Sequence, residues 1–228
     1  RQQFVRNFAN AREAGFDNIN VDLMFALPEQ TLGEWEETLH AITALQPEHI
    51  SAYSLILEEG TPLYDLYENG VYHEMDEELD RAMYRTAVRI LEEEGYHQYE
   101  ISNFAKERKE SRHNKLYWQD AWYPGFGLGA HPFWEGRRYH NSRDLEKYLR
   151  QMREGNARAE DVEILSKQDQ MAEFMFMGLR LTEGIAQTRF AERFGKEMDQ
   201  VYGAQIQKLQ QAGLLEETGG FLRLTERG

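Results

Sequence analysis

The sequence predicts a mixed α/β chain that ends in a small helical module. Three observations carry this expectation. Strand, helix and strand follow one another within about 40 residues near the start. An amphipathic helix and an alternating strand come next, and three helices with a short hairpin close the chain.

Taken in order, Phe4, Val5, Phe8 and Ala11 recur at spacings of three and four, which makes residues 1–14 a helix that Gly15 stops. Residues 19–25 are an apolar run with one carboxylate, Asp22, and read as a strand ended by Pro28. Thr31 followed by Glu34 forms a capping box, and the helix after it keeps Leu32, Trp35, Leu39 and Ile42 on one stripe before Pro47. Residues 50–57 are a second apolar run, so the two strands are expected as parallel neighbours. From Thr61-Pro62 the pattern changes. Residues 80–94 form an amphipathic helix with Met83, Tyr84, Ala87, Val88 and Leu91 inward, Gly95 ends it, and residues 96–104 alternate as a strand does. Residues 105–115 are polar and basic, residues 142–154 read as a helix, and 155–160 as a polar joint. Helices at 166–181, 188–194 and 199–212, then a hairpin strand at 221–224, follow the grammar of a winged helix. The chain therefore divides into 1–62, 63–158 and 159–228.

Composition narrows the functional classes. The 228 residues carry 26 Lys+Arg against 40 Asp+Glu, a net charge of −14. Residues 1–163 hold 18 basic and 31 acidic side chains, a net of −13, and residues 164–228 a net of −1. Neither part offers the basic field that binding to nucleic acid requires. The last long helix carries Gln205, Gln207, Gln210 and Gln211 but only Lys208 as a cation, which favours a structural or docking role over DNA reading. There is no Cys, hence no disulfide and no iron–sulfur cluster held by this chain alone. No apolar run approaches the 18 residues of a membrane span. The first residues, Arg1-Gln2-Gln3-Phe4, lack an initiating Met and do not read as a signal peptide; the expectation is a piece of a longer cytoplasmic protein, or a trimmed chain.

Asp22 is the first candidate for chemistry. A carboxylate in an apolar strand costs several kcal/mol if buried without a partner, so it is expected to meet a ligand, a cation or backbone donors; the competing reading is a carboxylate that caps a loop. His113-Asn114-Lys115-Leu116-Tyr117 is the second. Imidazole and phenolate can both ligate iron, and Arg112 and Lys115 suit carboxylates. The competing reading is a loop histidine bound to backbone, with Tyr117 in the core. Tyr117 to Tyr139 holds eight aromatic residues in 23 positions. Trp118, Trp122, Tyr123, Phe126, Phe133 and Trp134 read either as the wall of a pocket for a flat macrocycle or as core or interface. Gly125-Phe126-Gly127-Leu128-Gly129 fails as a dinucleotide fingerprint, because Pro124 precedes it and no helix opens after it. His131 and His140 stand nine apart without a metal-ligand pattern, and His40, His49, His73 and His97 are expected to be surface or satisfied structural residues.

The segment from Asp22 to Thr31, Asp-Leu-Met-Phe-Ala-Leu-Pro-Glu-Gln-Thr, resembles the D-L-x-x-G-L-P-x-Q-T signature of the coproporphyrinogen-oxidase-like radical S-adenosylmethionine proteins, with Ala26 where the signature has Gly. Pro47 to Leu55, Glu59-Gly60-Thr61-Pro62, Tyr99 to Ala105 and Ser111 to Trp118 continue the likeness, the last two toward the HemW-like haem chaperones. The resemblance implies that residues 1–62 are the last βα units of a partial (β/α)6 radical-SAM barrel, that 63–158 are an α+β extension and that 159–228 are a winged-helix-like domain. It further implies that Asp22 hydrogen-bonds the ribose hydroxyls of S-adenosylmethionine, that Ile56 meets its adenine, and that His113, Asn114 and Tyr117, as an HNxxY motif, contact haem, with His113 as candidate iron ligand. Gly125 to Gly129 resembles the family's glycine-rich turn.

The family's CxxxCxxC motif, which holds the [4Fe-4S] cluster, is absent, so the chain alone is expected to be inactive in radical chemistry. The implied function is haem binding and delivery, with haem or a porphyrin as ligand and a haem-acceptor protein as partner. The alternatives are an oxygen-independent coproporphyrinogen III oxidase, which decarboxylates two propionates, and a winged-helix interaction module.

Overall fold

The structure is a computed structural model and describes residues 2–156 and 159–228. The chain folds as two compact units, Arg1–Ser111 and Arg112–Gly228, so the segment 63–158 contributes to both. Arg1 and residues 157 and 158, in the first predicted helix and the predicted polar joint, lie outside the described residues.

The first unit runs α1 (Gln2–Glu13), β1 (Asn20–Phe25), α2 (Leu32–Thr43), β2 (His49–Ser54), α3 (Pro62–Glu68), α4 (Glu77–Glu93), β3 (His97–Glu100) and β4 (Asn103–Ala105). Strands β1 and β2 pair in parallel across the α2 crossover, as the strand–helix–strand pattern predicts, and the sheet order is β1-β2-β4-β3. The capping box forms as read: Thr31 accepts from the Glu34 N–H, and Glu34 reaches back to the Thr31 N–H at 2.8 Å. Helix α4 begins earlier than the apolar stripe suggests. Asp76 caps it by accepting from the N–H groups of Glu78 and Leu79, and three acidic residues in the first turn suit the positive end of the helix dipole.

Residues 96–104 form two strands rather than one. The chain turns at Ile101-Ser102, where the buried Glu100 carboxylate accepts the Ser102 N–H at 2.9 Å and closes a tight antiparallel hairpin. A local carboxylate–backbone bond thus overrides the alternating pattern. Helix α3 was not apparent from apolar spacing; it starts where Thr61 caps it and Pro62 supplies the first turn.

One face of the sheet is apolar. Val21, Leu23, Phe25, Ile50, Ala52 and Phe104 pack with Trp35, Leu39 and Ile42 of α2, with Met83, Ala87, Ile90 and Leu91 of α4, and with Phe8 of α1. Trp35 is fully buried, lies 5.3 Å from the Phe25 ring and donates its indole N–H to the Met83 carbonyl at 2.9 Å. Phe4 and Val5, whose spacing to Phe8 marks the helix, are exposed.

The second unit runs α5 (Arg112–Trp118), β5 (Phe133–Trp134), β6 (Arg137–His140), α6 (Leu145–Arg153), β7 (Glu160–Ile164), α7 (Lys167–Gly178), β8 (Ile185–Ala186), α8 (Gln187–Phe194), α9 (Met198–Gln211), β9 (Leu215–Thr218) and β10 (Phe221–Leu224). Strands β5, β6 and β7 form one antiparallel sheet, and β8, β10 and β9 a second. Helices α7 to α9 pack on the second sheet through Phe174, Met175, Phe190, Met198, Ile206, Leu215 and Leu222. Strand β8 goes beyond the predicted hairpin. Gly184, at φ +81, lets it approach β10 so closely that a Cβ there would collide with the Leu222 carbonyl. Among the described residues no helix is long and apolar enough to cross a membrane.

Two stability effects follow. Ala26, where the family signature has Gly, sits at φ +57, in the left-handed region that costs a residue with a Cβ about 1–2 kcal/mol. Ala26→Gly is therefore expected to stabilise the first unit by about 1 kcal/mol, read as a rise in the midpoint of chemical denaturation. Asp120 is buried and ion-paired to Arg193 at 2.6 Å; burial pushes its carboxyl up to about 6, with Arg193 opposing. Because the folded-state value lies above the unfolded one, this carboxyl's contribution to stability is fully present below about pH 4 and is lost as pH rises through 6. Asp120→Asn is expected to flatten the stability–pH profile of the second unit between pH 4 and 7 by about 3 kcal/mol, measured by denaturation at each pH.

Candidate functional site

The polar face of the first unit's sheet holds Asp22. Side chains alternate along β1, so Val21, Leu23 and Phe25 take the core while Asn20, Asp22 and Met24 stand exposed on the opposite face. This corrects the expectation of a carboxylate trapped in an apolar strand: the run is apolar on one side only. Pairing brings Asp22 opposite Ser51, Ser51 opposite Asn103, and Asn103 opposite Glu100, a single row of polar residues across all four strands. Asn103 donates to Glu100 Oε1.

Beside this row runs a chain of hydrogen bonds. Asn20 Nδ2 donates to Asp22 Oδ1 at 2.7 Å, His49 Nδ1 lies 2.6 Å from Asn20 Oδ1, and His49 Nε2 lies 2.8 Å from the Tyr99 hydroxyl. The Ser111 N–H reaches that hydroxyl at 3.3 Å. His49 is only 6% exposed; burial holds its imidazole below the usual histidine range, while the Asp22 charge pulls the other way. The reading of His49 as a satisfied structural histidine is right about its bonds but misses its neighbour. The signal was present in the two-residue spacing Asn20-Val21-Asp22 and in the place of His49 at the start of the parallel partner strand. Ile56 lies just past the end of β2 and is 76% exposed.

The HNxxY residues fall on α5, not on a loop. His113 and Tyr117 are four apart and so share a face. The Tyr117 hydroxyl lies 2.7 Å from His113 Nε2, and the two rings meet edge to face at 4.7 Å. His113 is exposed, and Tyr117 is half-buried against Tyr123 at 4.6 Å. Asn114 is half-buried on the same helix.

The aromatic residues after α5 do not form one pocket wall. Phe133 is core, whereas Trp122, Phe126 and Trp134 are exposed, Phe126 at 87%. A cavity of about 250 Å³ in the second unit is lined by Trp118, Phe174, Leu181, Arg189 and Phe221 among others, and none of the other five aromatic candidates borders it. The glycine-rich turn is held by Asn141, which donates to the Gly127 carbonyl at 2.8 Å. His131 and His140, nine apart in sequence, stack at 5.1 Å; His140 bonds Asp161 at 2.8 Å, and its imidazole is held above the usual range by the bonds to the Asn141 carbonyl and to Asp161. Among the described residues no group of three or more His, Asp and Glu side chains is placed to hold a metal ion.

The HemN C-terminal domain family matches residues 165–228, the span of α7 to α9 and the second sheet. The haem chaperone HemW of Bacillus subtilis is 39% identical over 222 residues, covering 97% of this chain and 59% of that protein. HemW of Lactococcus lactis is 35% identical over 95% of this chain and 57% of its own length. The mitochondrial radical S-adenosyl methionine domain-containing protein 1 of Danio rerio is 36% identical over 100% of this chain and 52% of its own. The structure of HemN, the coproporphyrinogen III oxidase of Escherichia coli described as a radical SAM enzyme, matches 99% of this chain and 55% of its own, with a TM-score of 0.73 at 18% identity, a likeness of fold. The chain thus spans between half and three fifths of the length of these relatives. It contains no cysteine, and so no CxxxCxxC motif. With a mixed α/β fold like that of HemN and identities of up to 39% to HemW proteins, the chain belongs to the HemW/HemN-like radical SAM family, as a C-terminal region carrying the HemN C-terminal domain.

Proposed function

We propose that this chain is the haem-handling part of a haem chaperone, with haem as cargo bound at the exposed face of α5. The observation that carries the reading is the pairing of His113 with Tyr117 on that face, in a chain 39% identical to a protein named as a haem chaperone. Imidazole and phenolate are both donors that haem iron accepts. Nε2 of His113 already shares a hydrogen bond with the Tyr117 hydroxyl, so ligation through Nε2 requires that hydroxyl to turn away. Arg112 and Lys115 on the same helix are suited to carboxylates of the propionate kind, and Asn114 completes the motif.

The same reading gives Asp22 the ribose hydroxyls of S-adenosylmethionine and Ile56 its adenine. The fit at Asp22 is chemical. An ionised carboxylate only accepts hydrogen bonds, and this one is exposed and bonded by a single neutral donor. The fit fails for a [4Fe-4S] cluster on this chain, because the thiolate ligands it would need are missing. The parallel pair β1–β2 then supplies the last strands of a radical-SAM barrel, and residues 159–228 a winged-helix-like domain for docking a haem-acceptor protein.

A haem titration followed at the Soret band tests the assignment. His113→Ala is expected to weaken binding by at least about tenfold, about 1.4 kcal/mol, while His131→Ala leaves it unchanged; equal affinities would remove His113 from the site. Tyr117→Phe separates the two donors of the pair. It is expected to tighten haem binding a few-fold by releasing Nε2, at about 1 kcal/mol for the hydrogen bond given up. Weaker binding in that variant would make the phenol the iron ligand.

A further inference from the structure

The hydrogen bonds beside Asp22 run in one direction, and each step forces the next. The carboxylate only accepts, so the Asn20 amide nitrogen must face it, and does at 2.7 Å. Asn20 therefore turns its carbonyl oxygen to His49 Nδ1, 2.6 Å away, and that nitrogen must carry the proton. Nε2 is left as an acceptor for the Tyr99 hydroxyl at 2.8 Å, whose oxygen in turn accepts the Ser111 N–H. The other tautomer would set a ring lone pair against the Asn20 oxygen. None of the described residues donates to Asp22 Oδ2.

We propose that Asn20 and His49 are positioning residues, which hold the Asp22 carboxylate in one orientation as an acceptor for a ligand that offers a pair of hydroxyl donors. This rests on the reading of Asp22 as a ribose contact. Two features go beyond what the sheet itself needs. The chain lies wholly on the polar face, while the core contacts that bind the sheet to α2 and α4 lie on the other. Replacing such a set by apolar residues of similar shape is often close to neutral for stability, so its evident product is the fixed carboxylate. Ser51, opposite Asp22 in register, reaches Asn20 Oδ1 only weakly, at 3.4 Å, and leaves His49 as the main support of that oxygen.

The test needs no cluster. In the isotope-labelled chain, long-range 1H–15N spectra are expected to show His49 with Nδ1 protonated, and three-bond couplings to show a single χ1 rotamer for Asp22. Asn20→Ala and His49→Leu are expected to leave the circular dichroism unchanged but to average the Asp22 rotamer. His49→Gln, which keeps one donor and one acceptor, should preserve it. If His49→Leu does not fold, Tyr99→Phe removes only the donor to Nε2 and should bring the second tautomer into the spectra. Titration with S-adenosylmethionine by calorimetry is then expected to show a loss of about tenfold or more in Asp22→Asn, Asn20→Ala and His49→Leu, but not in His49→Gln. A single Asp22 rotamer that persists in Asn20→Ala and His49→Leu, or a His49 protonated at Nε2, would overturn the proposal. Couplings that respond as expected in a chain that takes up no S-adenosylmethionine would support the positioning role and overturn the ribose reading.

Discussion

The first unit depends on one-sided burial of a short parallel sheet, and Trp35 is the residue that enforces it. Its indole fills the space between the sheet and α4, against Phe25 on one side, and its N–H takes a backbone carbonyl of α4 on the other. A fully buried aromatic of this size contributes several kcal/mol, and its polar edge must find a partner wherever it packs. With the helices committed to the Val21, Leu23 and Phe25 face, the two-residue period of a strand leaves Asn20, Asp22 and Met24 to the other. The polar face that carries Asp22 is thus the complement of the core, and a shift of one residue in register would exchange the two.

The candidate chemistry in each unit rests on a different periodicity. On the sheet, alternation and parallel register assemble the row from Asp22 to Glu100, with residues drawn from four strands and about 80 positions of chain. On α5, a spacing of four within a single helix sets His113 beside Tyr117. The first arrangement has a buried support in Ser51, Asn103 and Glu100 and an exposed end at Asp22. The second pairs an exposed His113 with a half-buried Tyr117, and the two side chains share one hydrogen bond. On the proposed reading, a carboxylate so supported is held in advance for its ligand, whereas a histidine bonded to its own neighbour must first give up that bond.

How much of this was legible in the sequence varied with the range of the interaction. The Thr31–Glu34 capping box, the helix within 142–154 and the three closing helices were readable or nearly so, because caps and apolar stripes are local. The hairpin at Ile101-Ser102 was not, since a bond from Glu100 to its own chain broke a pattern that otherwise suited one strand. Ala26 looked a mild departure from a family signature, yet the backbone there is left-handed, a property that no side-chain pattern displays. His49 was set aside because it stands in no metal-ligand spacing; only its register beside Asn20 reveals which groups it bonds.

By itself, then, the sequence determined the α/β class, the parallel strand–helix–strand start, the lack of any cysteine for a cluster, and two candidate stretches, around Asp22 and His113. Those properties follow from composition and from patterns a few residues long. Tertiary structure alone decided that Asp22 is exposed rather than trapped, that His113 Nε2 is shared with Tyr117, and that the aromatic run is divided between core and surface instead of forming one wall. The reason is physical: burial and hydrogen-bond direction are set by which distant segments meet, and a single strand carries no mark of the face its neighbours will cover.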